Sequence, residues 1–199
     1  MRPDVAVLLY PGCIFGEIAP ALELLAPHCA LHVLTPDGAP HAASNGTRLL
    51  ADGRYDDAVG RPLAAVIVPG GDPDSIIDPG HANAVLRSAR ERGALLAGIC
   101  AGVLVLARSG LLVGRRATHN YTAEHTTPEV LACTDPIFAG VRFERADLVV
   151  DPPFITAQWW ARATFAAAIA QALGLLDEAG AQRWLQRDRF SYDDAPITR

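Results

Sequence analysis

The chain has 199 residues, half of them hydrophobic and a fifth charged, the make-up of a globular protein with a sizeable core rather than of a disordered or collagenous chain. Its 17 basic and 22 acidic residues leave a net charge of −5, and no Lys/Arg run supplies the footprint of a nucleic-acid binder, so a small molecule is the expected partner. No run is long enough for a transmembrane helix, no apolar leader follows Met1, and the cysteines at 13, 29, 100 and 133 show no CxxC or Cys/His ligand spacing. These absences predict a cytoplasmic protein with free thiols and with no membrane, nucleic-acid, metal or cofactor partner.

Short apolar runs alternate with stretches of helical period along the chain, which predicts βαβ units and a mainly parallel sheet in a single domain spanning residues 1–199. Strands are expected at Val5 to Tyr10, Leu31 to Thr35, Ala65 to Val68 and Leu95 to Ile99. These runs lack polar alternation, as strands buried on both faces do. Helices are expected at Glu17 to Ala26 and at Ala82 to Arg92, where Val85, Leu86 and Ala89 share one face. After Cys100 comes a buried helix at Ala101 to Ala107 ending near Gly110, then an extended piece at Ala117 and Thr118. Residues 120–140 read as irregular. Strands follow at Val141 to Glu144, Leu148 to Val150 and Phe154 to Ala157, then helices at Trp160 to Leu173 and Leu175 to Arg187, with Asp193 to Arg199 frayed.

A strand feeding Gly98-Ile99-Cys100-Ala101-Gly102 and then a helix has the layout of a nucleophile elbow with sulfur in place of oxygen. The flanking glycines leave room for a sharp turn. A thiol at a helix N-terminus is expected to have its pKa lowered by the N–H groups and the helix dipole. About thirty residues earlier, Val68-Pro69-Gly70-Gly71-Asp72 ends a neighbouring strand in two glycines. Their N–H groups, with that of Ala101, are the expected anion-stabilising donors.

These motifs, with Val5 to Gly12 followed by Glu17 and with Gly110-Leu111-Leu112-Val113-Gly114-Arg115-Arg116-Ala117-Thr118-His119, resemble the ThiJ/PfpI family of the class I glutamine amidotransferase-like superfamily over almost the whole chain. The resemblance implies a flavodoxin-like three-layer α/β sandwich, commonly homodimeric, whose elbow cysteine works beside an acidic residue after the first strand. Glu17 stands in that position; a nearby thiolate would raise its pKa and make it a proton donor to sulfur. The resemblance makes His119 the candidate general acid or base, with His125 second to it. Cys13, Asp72 and Trp159 are candidate pocket residues.

The superfamily includes glutaminases, peptidases, glyoxalases, isocyanide hydratases, regulators and stress proteins. A glutaminase needs a late His-x-Glu, yet no histidine follows His125; peptidase-like members carry histidine after the elbow cysteine, where Ala101 stands. A regulator's helix-turn-helix module would need more residues than remain. Trp159 and Trp160 stand where many relatives have a glycine-rich turn, which suggests core or dimer packing for one and a pocket wall for the other. The expected function is attack by Cys100 on a small electrophile in hydratase or glyoxalase-type lyase chemistry, with Glu17 and His119 moving protons. The alternative is a non-enzymatic redox or electrophile sensor, or a chaperone-like protein, using an oxidisable Cys100.

Overall fold

The four apolar runs expected in the first half of the chain all form strands, and they are the middle of one sheet. In the computed structural model, which describes residues 2–77 and 79–187, they are β1 (Asp4–Leu8) and β2 (Ala30–Thr35), followed later by Ala65–Val68 and Leu95–Ile99. Between the two pairs lie a short hairpin, β3 (His41–Ala42) with β4 (Arg48–Leu49), and β5 (Gly53–Arg54). The two later runs are therefore β6 (Ala65–Val68) and β7 (Leu95–Ile99), and the rest are β8 (Arg116–Ala117), β9 (Arg142–Phe143), β10 (Leu148–Asp151) and β11 (Phe154–Ala157). Among the described residues the main sheet has seven strands in the order β10-β11-β7-β6-β1-β2-β5, with only the β10–β11 pair antiparallel. Every residue of β6, β7 and β11 is buried, as a parallel sheet covered on both faces requires.

The helices are α1 (Ala19–Leu25), α2 (Asp74–Ile77), α3 (Asn83–Glu91), α4 (Gly102–Arg108), α5 (Pro128–Thr134), α6 (Arg162–Ala172) and α7 (Glu178–Arg187). α1, α6 and α7 pack together, α2 packs against α4, and α3 lies on β6 and β7. The result is the mainly parallel, helix-flanked sheet of a flavodoxin-like α/β fold. α3 buries Val85, Leu86 and Ala89 on one face; a fully buried Leu or Val of this kind stabilises by about 1.5–3 kcal/mol.

Three local departures have physical causes. The first helix begins at Ala19 with Pro20 in its first turn, where the missing proline N–H costs nothing. Glu17 therefore falls in a separate 3-10 turn, Phe15–Glu17, and is buried there rather than capping a helix. Residues 120–140, expected to be irregular, contain α5, whose Thr127-Pro128-Glu129 start is a legible helix signal. The segment 193–199, read as frayed, lies outside the described residues.

Candidate active site at the carboxyl end of the sheet

β6 and β7 run parallel with Val68 beside Gly98, so the Gly70-Gly71 turn and the elbow emerge side by side at the carboxyl ends of central strands, where open α/β sheets hold ligands. Cys100 has φ +56°, and it is the sole non-glycine with positive φ among the described residues. A left-handed conformation costs an L-residue about 1–2 kcal/mol. It is held there on both sides: the Cys100 N–H donates to the Ala157 carbonyl at 2.9 Å, and its carbonyl accepts from the Val103 N–H at 3.1 Å. Gly102 lets α4 close onto β6, because a Cβ at that position would overlap the Val68 carbonyl.

Glu17 is 5% exposed, and its Oε2 accepts the Gly70 N–H at 2.8 Å. Oε2 and the Cys100 Sγ both crowd the space a Cβ on Gly70 would need, with Sγ 2.8 Å from that point. Burial pushes the Glu17 carboxyl up to about 6, against the Gly70 and Cys100 hydrogen bonds that favour its ionised form. Burial and, second, the Glu17 carboxylate hold the Cys100 thiol up at about 12, while the N–H groups of Ala101 and Gly71 favour the thiolate. The expected lowering by the helix N-terminus is thus outweighed in the resting site. The two acids share one proton through the neutral range. Moving it from sulfur to Glu17 removes the like charge and leaves a thiolate facing two N–H donors.

The other candidates divide into three groups. Gly70 gives its N–H to Glu17, which leaves Gly71 and Ala101 as the donors bearing on sulfur. Cys13 is fully buried and forms a β-bridge with Gly71, and burial raises its thiol pKa. Asp72 lines a cleft of about 680 Å³ together with Gly71 and Tyr121. His119 is 7% exposed and stacked on Phe138, with ring centroids 3.9 Å apart; burial lowers its pKa to about 4, so its ring is neutral. It lines a cavity of about 540 Å³ with His125 and Trp160, and neither Cys100, Glu17 nor Gly71 is among that cavity's lining residues. Neither tryptophan is in the core: Trp159 and Trp160 are 53% and 42% exposed and meet edge to face.

Tyr121 was not singled out by the sequence. Its pKa is raised by burial first and then by Cys100, Asp74 and Asp72, and it lines the same cleft as Gly71, Asp72 and Asp74. No spacing rule points to it; a tyrosine two residues after the nominated histidine was the available signal. Among the described residues no group of three His, Cys, Asp or Glu side chains is arranged to hold a metal ion, and no helix is long and apolar enough to cross a membrane.

Over 130 residues the chain is 36% identical to the HTH-type transcriptional regulator CdhR of Pseudomonas aeruginosa, a match spanning 62% of this chain and 38% of that protein. Over 132 residues it is 27% identical to the isonitrile hydratase of Pseudomonas putida, spanning 64% of this chain and 57% of that one. It therefore covers less than two thirds of the length of either. In structure it is similar to Drosophila melanogaster DJ-1beta, with a TM-score of 0.77 over 96% of this chain and all of that one at 22% identity, a likeness of fold. With the buried acid, the strained elbow cysteine and the paired-glycine turn in place, and with residues 5–172 matching the DJ-1/PfpI family, this chain belongs to that family.

Proposed function

We propose that the chain is a cysteine-dependent enzyme of hydratase or lyase type acting on a small carbon electrophile such as an isonitrile or an α-oxoaldehyde. The observation that carries this reading is Cys100 held at φ +56° beside a buried Glu17, with the Gly71 and Ala101 N–H groups on its sulfur. A structural cysteine needs none of these. The likeness to an isonitrile hydratase supports the choice of substrate class.

For an isonitrile the steps balance without a redox partner. Glu17 takes the thiol proton as Sγ bonds to the terminal carbon, and the same proton passes to that carbon, giving a thioimidate. Water then adds to the carbon; one of its protons goes to nitrogen and the other returns to sulfur as the C–S bond breaks, releasing a formamide. With an aldehyde, the Gly71 and Ala101 N–H groups would face the alkoxide of the thiohemiacetal. In this reading His119 serves the neighbouring cavity and Glu17 alone moves the proton at sulfur. The reading takes residues 1–199 as one catalytic domain working as a homodimer, which sedimentation would check. The test is turnover of a panel of isonitriles and α-oxoaldehydes by the wild type and Cys100→Ala. Loss of turnover in the variant supports it, and equal rates overturn it.

A non-enzymatic sensor is the second reading, favoured by the likeness to a transcriptional regulator. Here Cys100 is oxidised by peroxide to a sulfinate that Glu17 hydrogen-bonds. Intact mass after mild peroxide should then show two added oxygens on Cys100, with no turnover of the panel; modification confined to Cys13, Cys29 or Cys133 would reject it.

A further inference from the structure

The cavity lined by His119 holds more buried, unsatisfied polarity than a structural gap should. His119 Nδ1, Thr122 Oγ1 and Gln158 Oε1 all belong to its lining residues, and all three atoms are buried with no hydrogen-bond partner among the described residues. Each such atom costs about 1–3 kcal/mol if it stays unpaired. His119 and Gln158 are 7% and 5% exposed, so their orientation is fixed by packing. Gln158 is fixed further by hydrogen bonding, because its Nε2 donates to Thr118 Oγ1 and to the His119 carbonyl, both at 2.9 Å. Its Oε1 is therefore an acceptor held in place with nothing to accept.

The charge and shape of the walls narrow what could fill the space. Glu124 and Arg145 cancel each other in an ion pair of 2.5 Å. Asp147 has no ion-pair partner among the described residues and receives only the Trp160 Nε1–H on its carboxylate, at 2.8 Å. Trp160 and Phe143 supply exposed aromatic surface on the same cavity, and His125 stands edge-on to Trp160. A carboxylate, an amide acceptor and an indole together match a flat cation that donates N–H bonds and stacks.

We propose that this cavity of about 540 Å³ is a second ligand site, distinct from the Cys100 elbow, that takes a small planar cation of the amidine or guanidine class between Asp147, Gln158 and Trp160. Neither Cys100, Glu17 nor Gly71 lines it, so its occupancy does not depend on the reaction proposed at the thiol.

The test is calorimetric titration of the full chain with benzamidine and with benzamide, its uncharged isostere. Benzamidine should saturate a single site, and benzamide should bind at least roughly tenfold more weakly, the loss expected when a charge-assisted hydrogen bond goes. Asp147→Asn should remove that preference, and Cys100→Ala should leave benzamidine binding unchanged. The proposal is overturned if neither probe saturates, if benzamide binds as well as benzamidine, or if a folded Cys100→Ala variant loses the site. Should Asp147→Asn fail to fold, the two-probe comparison on the wild type still decides, with Trp160→Leu expected to weaken benzamidine.

Discussion

Replacing Glu17 by glutamine keeps an oxygen for the Gly70 N–H, which lies 2.8 Å from Oε2, and removes the titrating proton. Burial lifts Glu17 from its ordinary 4.5 to about 6, so the folded chain holds this proton more tightly than the unfolded chain does. At about 1.4 kcal/mol per pH unit, that difference amounts to roughly 2 kcal/mol. The stability it confers is whole below the unfolded value and is lost as the pH rises through the folded one. Between about pH 4.5 and 7 the wild type should therefore lose roughly 2 kcal/mol relative to Glu17→Gln. For a chain of this length 1 kcal/mol moves Tm by about 2–4 °C, so the gap between the two melting curves should change by about 4–8 °C. Melting both proteins by far-UV circular dichroism at fixed ionic strength from pH 4 to 8, with urea unfolding at each end, measures it. Parallel curves would refute the account of Glu17 as a desolvated acid.

Other outcomes follow from the same geometry. Cys100→Gly should be more stable than Cys100→Ala by about 1 kcal/mol, because glycine relieves the left-handed strain at φ +56° while both variants lack sulfur; urea unfolding that ranks them the other way would show the elbow to be unstrained. Gly70→Ala should lose about 1–3 kcal/mol and the reactivity of Cys100 together, since the new Cβ enters the space between Oε2 and Sγ; unfolding and alkylation by iodoacetamide read the two effects separately. Glu17→Gln and Cys100→Ala should each abolish turnover of an isonitrile while Tm at pH 7 stays within a few degrees of the wild type or rises.

The central strands were legible because β1, β6, β7 and β11 are buried on both faces, and such strands write themselves as unbroken Val/Ile/Leu/Ala runs. The elbow was legible for a related reason. A helix that starts directly after a buried strand, against the carbonyls of the next strand, admits only a glycine at position 102. The hairpin β3–β4 was missed because each strand has two residues, too few for any period to show. Yet it closes onto the loop after β1, accepting the Gly12 N–H on the Ala42 carbonyl and giving the Ser44 N–H to the Cys13 carbonyl. His119 shows a different limit. The family resemblance sets it beside the thiol, but the direction of a side chain after a two-residue strand depends on what packs against it, and its ring stacks on Phe138, which comes from beyond α5. Of the two tryptophans, one is expected in the core or a dimer interface and the other on a pocket wall; both follow the last residue of β11, where the chain turns outward, and Trp160 lines a cavity.

The strain at Cys100 and the burial of Glu17 fall at one point of the molecule, and each is large beside the stability of a domain. A left-handed cysteine costs about 1–2 kcal/mol and a carboxyl lifted to about 6 costs roughly 2 kcal/mol at neutral pH, against a total stability of about 5–15 kcal/mol for a domain. Neither feature is needed to build the sheet: Glu17 lies in the 3-10 turn before α1, outside every strand, and a glycine would turn the elbow more cheaply than Cys100. What the two share is each other. The strained turn presents Sγ to the carboxyl, and the buried carboxyl keeps one proton between two acids where the Ala101 and Gly71 N–H groups can receive the charge left on sulfur. Local strain of this size persists when its surroundings over-determine it, and here they do, through the Ala157 carbonyl, the Val103 N–H and the Gly70 N–H. The chain thus spends stability at the one place where a movable proton meets a nucleophile, which is what a reactive thiol requires and a packing thiol does not.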